Sequence, residues 1–127
     1  ISRMTAAQKY DGEYPRDLEI RYQKRILEKD AAGAMNCAEG FFEWMHSQQA
    51  VTREDIEIKI LEMVMNAERR AFFAGTLKYN VNSRRSYIRE LQSCTDIENL
   101  KKWFLDKTRE ICTKLENSKE KRSWQYY

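Results

Sequence analysis

The chain has 127 residues, 42% of them apolar and 34% charged, with 23 lysines and arginines against 20 acidic residues. That is the size of one domain, with enough apolar content to bury a core, and it excludes an intrinsically disordered segment. A formal charge of +3, dispersed along the chain, is too weak to define a nucleic-acid-binding surface.

Residues 1–13 are polar and mixed and read as a linker or ragged N-terminus. Pro15 suits the first turn of a helix, where its missing N–H is not needed. The helix is expected to run to about Asp30, with Leu18, Tyr22 and Ile26 at four-residue spacing, before the charged break Glu28-Lys29-Asp30. A second helix over residues 31–49 places Ala34, Cys37, Ala38, Phe41, Phe42 and Met45 on one stripe, at the steps of three and one that mark a single helical face. Gly33 and Gly40 weaken it by about 1 kcal/mol each relative to alanine. They are either tolerated defects or points of close helix–helix approach.

Thr52 is a good N-cap, and Glu54 and Asp55 favour the positive end of the helix dipole. The helix that Thr52 opens should reach Ala74, with Gly75 as its C-cap. Its core stripe is Ile56, Ile60, Met63, Val64, Ala67 and Ala71, and a second stripe of Ile58, Leu61, Met65 and Phe72 adjoins the first. A helix apolar around most of its circumference is one surrounded by other helices, so this is expected to be the central helix of the fold. Residues 76–80 read as a turn. A fourth helix over 81–93 should bury Tyr87, Ile88 and Leu91. Thr95 and Glu98 have the spacing of a capping box. It would open a fifth helix, to Asn117, with Ile97, Leu100, Phe104, Ile111 and Leu115 inward and Trp103 beside them. No strand pattern and no internal repeat are found. The fold class is therefore an all-α bundle of about five helices spanning residues 14–117, with residues 118–127 beginning a linker to a downstream domain.

Few residues offer chemistry. His46 is the single histidine and lacks the partners that metal or haem ligation requires. The carboxylates Glu54, Asp55, Glu57 and Glu62 have no Glu-x-x-His partner and read as a solvated helix face. Cys37, Cys94 and Cys112 are odd in number and widely spaced, with no CxxC pattern. Each is expected inside a helix as a small buried hydrophobe in a reducing, cytoplasmic setting, with no zinc site. No apolar window approaches the length of a membrane span. Arg69-Arg70 and Arg84-Arg85, the latter near Tyr79 and Tyr87, are candidate anion contacts or solvated helix ends. Phe41, Phe42, Trp44, Phe72 and Phe73 are candidate lining for an interhelical pocket, or core. No Gly-rich phosphate loop and no nucleophile–histidine pair is present, so neither an enzyme nor a cofactor is expected. The chain opens at Ile1 and stops in Trp124-Gln125-Tyr126-Tyr127, which reads as a piece of a longer protein.

The order of these segments carries a resemblance. Tyr14-Pro15-Arg16-Asp17-Leu18-Glu19 looks like a "YP-x-x-LE" opening, and Ile56-Glu57-Ile58-Lys59-Ile60-Leu61-Glu62 is similar to an "EIK-x-x-LLEL" helix. Arg69-Arg70-Ala71-Phe72-Phe73-Ala74-Gly75 resembles an "SRAA-x-x-AG" end. Tyr87-Ile88-Arg89-Glu90-Leu91 matches the next helix, and the run Asp96 to Phe104 matches an "LEELR-x-W" motif. These belong to the helical region that precedes the helix-turn-helix pair in AraC/XylS-type bacterial transcriptional regulators, many of them two-component response regulators. The chain departs from the pattern at Met63, Met65 and Asn66. The resemblance implies a non-catalytic signal-relay and dimerisation module. It would form a homodimer and couple an upstream receiver or sensor domain to a downstream DNA-binding domain, touching DNA only through the full-length protein. The alternative is a small-molecule-sensing domain with a ligand pocket between its helices.

Overall fold

A computed structural model describes residues 13–74 and 82–125 of the chain. Five helices follow one another: α1 Arg16–Leu27, α2 Ala31–Ser47, α3 Arg53–Phe73, α4 Ser83–Gln92 and α5 Ile97–Gln125. Among the described residues there is no strand, and the architecture is an all-α bundle. No helix of the described residues is long and apolar enough to cross a membrane.

The helix boundaries have local causes. Pro15 occupies the N-cap of α1 rather than its first turn, and its carbonyl accepts from the amides of Leu18 and Glu19 at 3.1 and 3.3 Å. At the other end Lys29 adopts a left-handed backbone, with φ of 62°. The Lys29 amide donates to the Ile26 carbonyl and the Asp30 amide to the Arg25 carbonyl, each at 2.9 Å, which closes a Schellman turn without the usual glycine. Asp30 then caps α2, its carboxylate accepting from the Gly33 amide at 2.9 Å. A Cβ at Gly33 would collide with that carboxylate, so this glycine serves the cap. Gly40 serves a close approach instead, because its Cβ would stand 3.3 Å from Leu18 of α1.

Thr52 caps α3 through a reciprocal pair: its hydroxyl accepts from the Asp55 amide at 3.1 Å, and the Asp55 carboxylate accepts from the Thr52 amide at 2.9 Å. Ala74 is the C-cap residue; Gly75, the turn at 76–80 and Val81 lie outside the described residues. The expected Thr95/Glu98 capping box does not form. The carboxylate of Asp96, one residue later, accepts from the Asn99 amide at 2.9 Å, while the Thr95 hydroxyl takes the Asn99 side-chain amide at 2.8 Å. An ionised carboxylate is the stronger partner for the exposed amides at a helix start, which is why the helix begins one residue late. Nor does α5 stop at Asn117. Its 29 residues continue to Gln125, a length of about 43 Å at 1.5 Å per residue.

The core is one cluster. Tyr22 and Ile26 of α1, the α2 stripe from Ala34 to Met45, the α3 stripe from Ile56 to Ala71, Leu91 of α4, and Leu100, Phe104, Ile111 and Leu115 of α5 are all buried. Helix α3 packs on each of the other four helices, while α2 makes the most extensive contacts, with α1 and α5. Leu18, Ile88 and Ile97, expected inward, are half-buried. Cys112 is buried as expected, and Thr108 joins the core unannounced by hydropathy. The Tyr22 and Thr108 hydroxyls meet at 2.8 Å, and Thr108 also donates to the Phe104 carbonyl at 2.9 Å, so both polar groups are satisfied in the interior.

One expectation about α3 is overturned. Its second stripe packs only in part: Leu61 and Met65 are half-buried against the core, whereas Ile58 is 60% exposed and Phe72 42%. Among the described residues the helix beside that stripe is α4, which at 10 residues is about half the 21-residue length of α3.

Candidate interaction surface

Helix α3 stands between two open grooves. The first, about 680 Å³, runs between α3 and α4, with Ile58, Leu61, Met65 and Ile88 as its apolar floor and Glu54, Glu57, Glu62 and Arg84 on its rim. The second, about 550 Å³, runs between α1 and α3. It sets the exposed Ile20 (57%) and Phe73 (70%) among Arg16, Glu19, Arg69 and Arg70. The outward stripe of α3 borders the first groove. Ile58, Leu61, Met65 and Phe72 follow one another along it at steps of three, four and seven, the spacing of one helical face.

Two networks of charge and aromatic rings hold α3 to the bundle. At its first half Lys59 stands 5.1 Å over the Tyr14 ring and 5.8 Å over Phe41, while pairing with Glu62 at 2.8 Å and Glu19 at 3.5 Å. Burial works against the Lys59 charge, but the hydrogen bonds to Glu62 and Tyr14 and the charge of Glu19 outweigh it. The ammonium therefore stays protonated well above the ordinary lysine range. Tyr14 donates to Glu19 and packs edge-on against Phe41 and Trp44 at 5.6 and 5.5 Å.

At the second half, the Tyr87 hydroxyl donates to Glu68. Trp103 donates from Nε1 to Glu90 at 2.7 Å, and Lys107 lies 4.6 Å over the Tyr87 ring and 3.3 Å from Glu90. Burial pushes the Glu68 carboxyl up, against the pull of Tyr87, Lys114 and Lys107. Burial likewise pushes up the Tyr87 hydroxyl, with Glu68 adding to the shift. Arg53 ties the start of α3 to the α4–α5 connection, donating to the carbonyls of Cys94 and Thr95 and pairing with Glu57 at 2.9 Å.

The residues singled out from sequence do not gather into one site. His46 is exposed at the end of α2. Phe41 and Phe42 are core, Trp44 belongs with Tyr14, and Phe72 and Phe73 project outward 5.5 Å apart, so these rings line no common pocket. Arg69 lies 5.4 Å over the Phe73 ring, on a different groove from Arg84; Tyr79 lies outside the described residues. Asp55 caps α3, Glu57 holds Arg53 and Glu62 holds Lys59. Among the described residues no group of His, Cys, Asp or Glu is arranged to hold a metal ion. Cys94 sits in the α4–α5 connection rather than in a helix, with Cys37 and Cys112 buried. Burial raises all three thiols, Cys112 to about 11, which makes them less reactive than a free cysteine.

Sequence reasoning passes over Tyr14, Lys59, Glu68 and Lys107 as chemical groups. For Lys59 a signal exists, since it is a single cation set between Ile58 and Ile60 in a stretch of helix that is otherwise apolar or acidic. The others depend on contacts between distant segments. Comparison of the chain with protein-family models, with curated proteins and with solved structures gave no match in any of the three.

Proposed function

We propose that this chain is a non-catalytic relay and dimerisation module of a bacterial AraC-type transcriptional regulator, coupling an input domain to a helix-turn-helix DNA-binding domain in the cytoplasm. The observation that carries the reading is the double role of α3. It packs on all four other helices and yet turns an apolar stripe outward. A shift at that stripe is transmitted to every part of the bundle because α3 touches every part. The length of α5 supports the same reading, since a helix of 29 residues is a stiff connection to whatever follows it. Regulators that read paired half-sites need their protomers held at a fixed spacing, and a bundle with one face left for a partner meets that need. The family attribution rests on the order of motifs from Tyr14 to Phe104.

Sequencing the source DNA on both sides of the segment tests it. The reading expects two helix-turn-helix patterns within about one domain length, roughly 100–150 residues, after Tyr127. A downstream sequence without them overturns it.

The α3–α4 groove favours a second reading, a small-molecule sensor. Its volume of about 680 Å³ and its apolar floor of Ile58, Leu61, Met65 and Ile88 suit a small amphipathic molecule, with Arg84 set among Glu54, Glu57 and Glu62 on the rim. Thermal shift against a metabolite panel separates the two. A saturable rise in melting temperature for one compound, lost in Arg84→Ala, supports the sensor, and a flat response across the panel supports the relay module.

A further inference from the structure

The outward stripe of α3 repeats every seven residues. Ile58, Met65 and Phe72 stand in line, with Leu61 between the first two. This is the spacing of a helix that packs lengthwise against another helix. The bundle's own helices take the opposite face, centred on Ile60, Val64 and Ala67. We propose that α3 of a second copy of this chain covers the stripe, lying antiparallel to the first across a two-fold axis that passes beside Met65. The inference rests on the dimerisation reading above and gives it a surface and a geometry.

Charge selects the occupant and its direction. Glu62 and Arg69 flank the stripe on the same side, three residues before Met65 and four residues after it. Antiparallel pairing about Met65 therefore sets Glu62 of each copy near Arg69 of the other, and the two-fold axis makes that pair twice. Parallel pairing would instead bring Glu62 of each copy beside Glu57 of the other, because flanking positions five residues apart face each other across a parallel seam. Like charges would then meet twice. The antiparallel arrangement also brings Ile58 of one copy to Phe72 of the other and Met65 to Met65, so large apolar side chains meet along the seam.

Both charged groups are positioned for the exchange. The Glu62 side chain is 55% exposed where it holds Lys59 at 2.8 Å, and Lys59 keeps Glu19 as a second partner at 3.5 Å. Arg69 is exposed and braced over the Phe73 ring. The groove between α3 and α4 leaves the incoming helix its space, and the two copies together form a four-helix layer of α3 and α4 from each.

Sedimentation equilibrium and light scattering on the 127-residue chain test this. The wild type is expected to be a dimer at micromolar concentration. Ile58→Glu and Met65→Glu should each give a monomer, and Ile58→Glu should do so with unchanged helical circular dichroism, Ile58 being exposed enough that its substitution leaves the fold alone. Glu62→Arg should weaken the dimer about tenfold or more by like-charge contact, and the swapped pair Glu62→Arg with Arg69→Glu should restore it. If Ile58→Glu and Met65→Glu remain dimeric, the α3 seam is wrong while the dimerisation reading survives. A swapped pair no tighter than Glu62→Arg alone overturns the antiparallel register. A wild-type chain that stays monomeric at high micromolar concentration overturns the seam and the dimerisation reading together.

Discussion

Glu68 sits where α3, α4 and α5 meet, accepting from the buried Tyr87 hydroxyl with Lys107 and Lys114 near by. Its carboxyl is held above the ordinary value by burial. In the unfolded chain a glutamate titrates at about 4.3. Between that pH and the higher folded value, the folded state binds more protons than the unfolded state. This group's contribution to stability therefore falls as pH rises through the window, and the penalty is fully present above it. Glu68→Gln keeps an oxygen for Tyr87 and removes the charge. Its stability relative to wild type should move in the variant's favour as pH rises above about 4.3, measured by urea unfolding across the acid-to-neutral range. A difference that stays constant across that range would show that the charge carries no penalty. The same knot illustrates what one sequence conceals: Tyr87 is legible as a core residue from its helical spacing, but its partner Glu68 is 19 positions away and reads as a polar helix residue. Thr108 is the sharper case. A threonine between charged neighbours looks solvated, and it is fully buried because its hydroxyl is shared between Tyr22, 86 residues earlier, and the Phe104 carbonyl.

The elements are legible wherever their signals are periodic. Every residue assigned to the main α2 stripe and to the main α3 stripe is buried, since a 3.6-residue period repeated over several turns leaves one solution for which face points inward. Helix ends are read less well because adjacent residues compete for the same cap, as Thr95 and Asp96 do. Asp96→Ala should cost about 0.5–2 kcal/mol by chemical denaturation, and Thr95→Ala distinctly less; equal losses would move the cap back to Thr95. The second α3 stripe misleads for a different reason. Hydropathy reports that Ile58 is apolar, not how far a neighbour covers it, and beside the ten-residue α4 it stays 60% exposed. The two stripes therefore differ in energetic weight. Ile60→Ala should cost about 2–5 kcal/mol as a buried large-to-small change. Ile58→Ala at concentrations where the chain is monomeric should stay within about 0.5 kcal/mol. Equal costs in the two variants would place Ile58 inside the bundle.

At the scale of the molecule, the number of helices and the absence of strands among the described residues follow from pattern, whereas the candidate surface does not. The grooves on either side of α3 exist because of how long α1 and α4 are relative to α3 and where they lie against it, and no local stretch of sequence encodes that. The same relative placement governs α5. It packs on α1, α2 and α3, and it carries core residues as far along as Leu115. Helices α1 and α2 are adjacent in sequence and in space, so that hairpin can assemble as soon as it is synthesised. The inner face of Tyr22 must nevertheless wait for the fifth helix to be made, because its ring packs 5.5 Å from Phe104 and its hydroxyl meets Thr108. During translation the nascent chain carries a half-built core, with Tyr22 lacking the threonine hydroxyl it will bond, until α5 has emerged. The α1–α2 hairpin can therefore form early, but the core it shares with α5 is completed last.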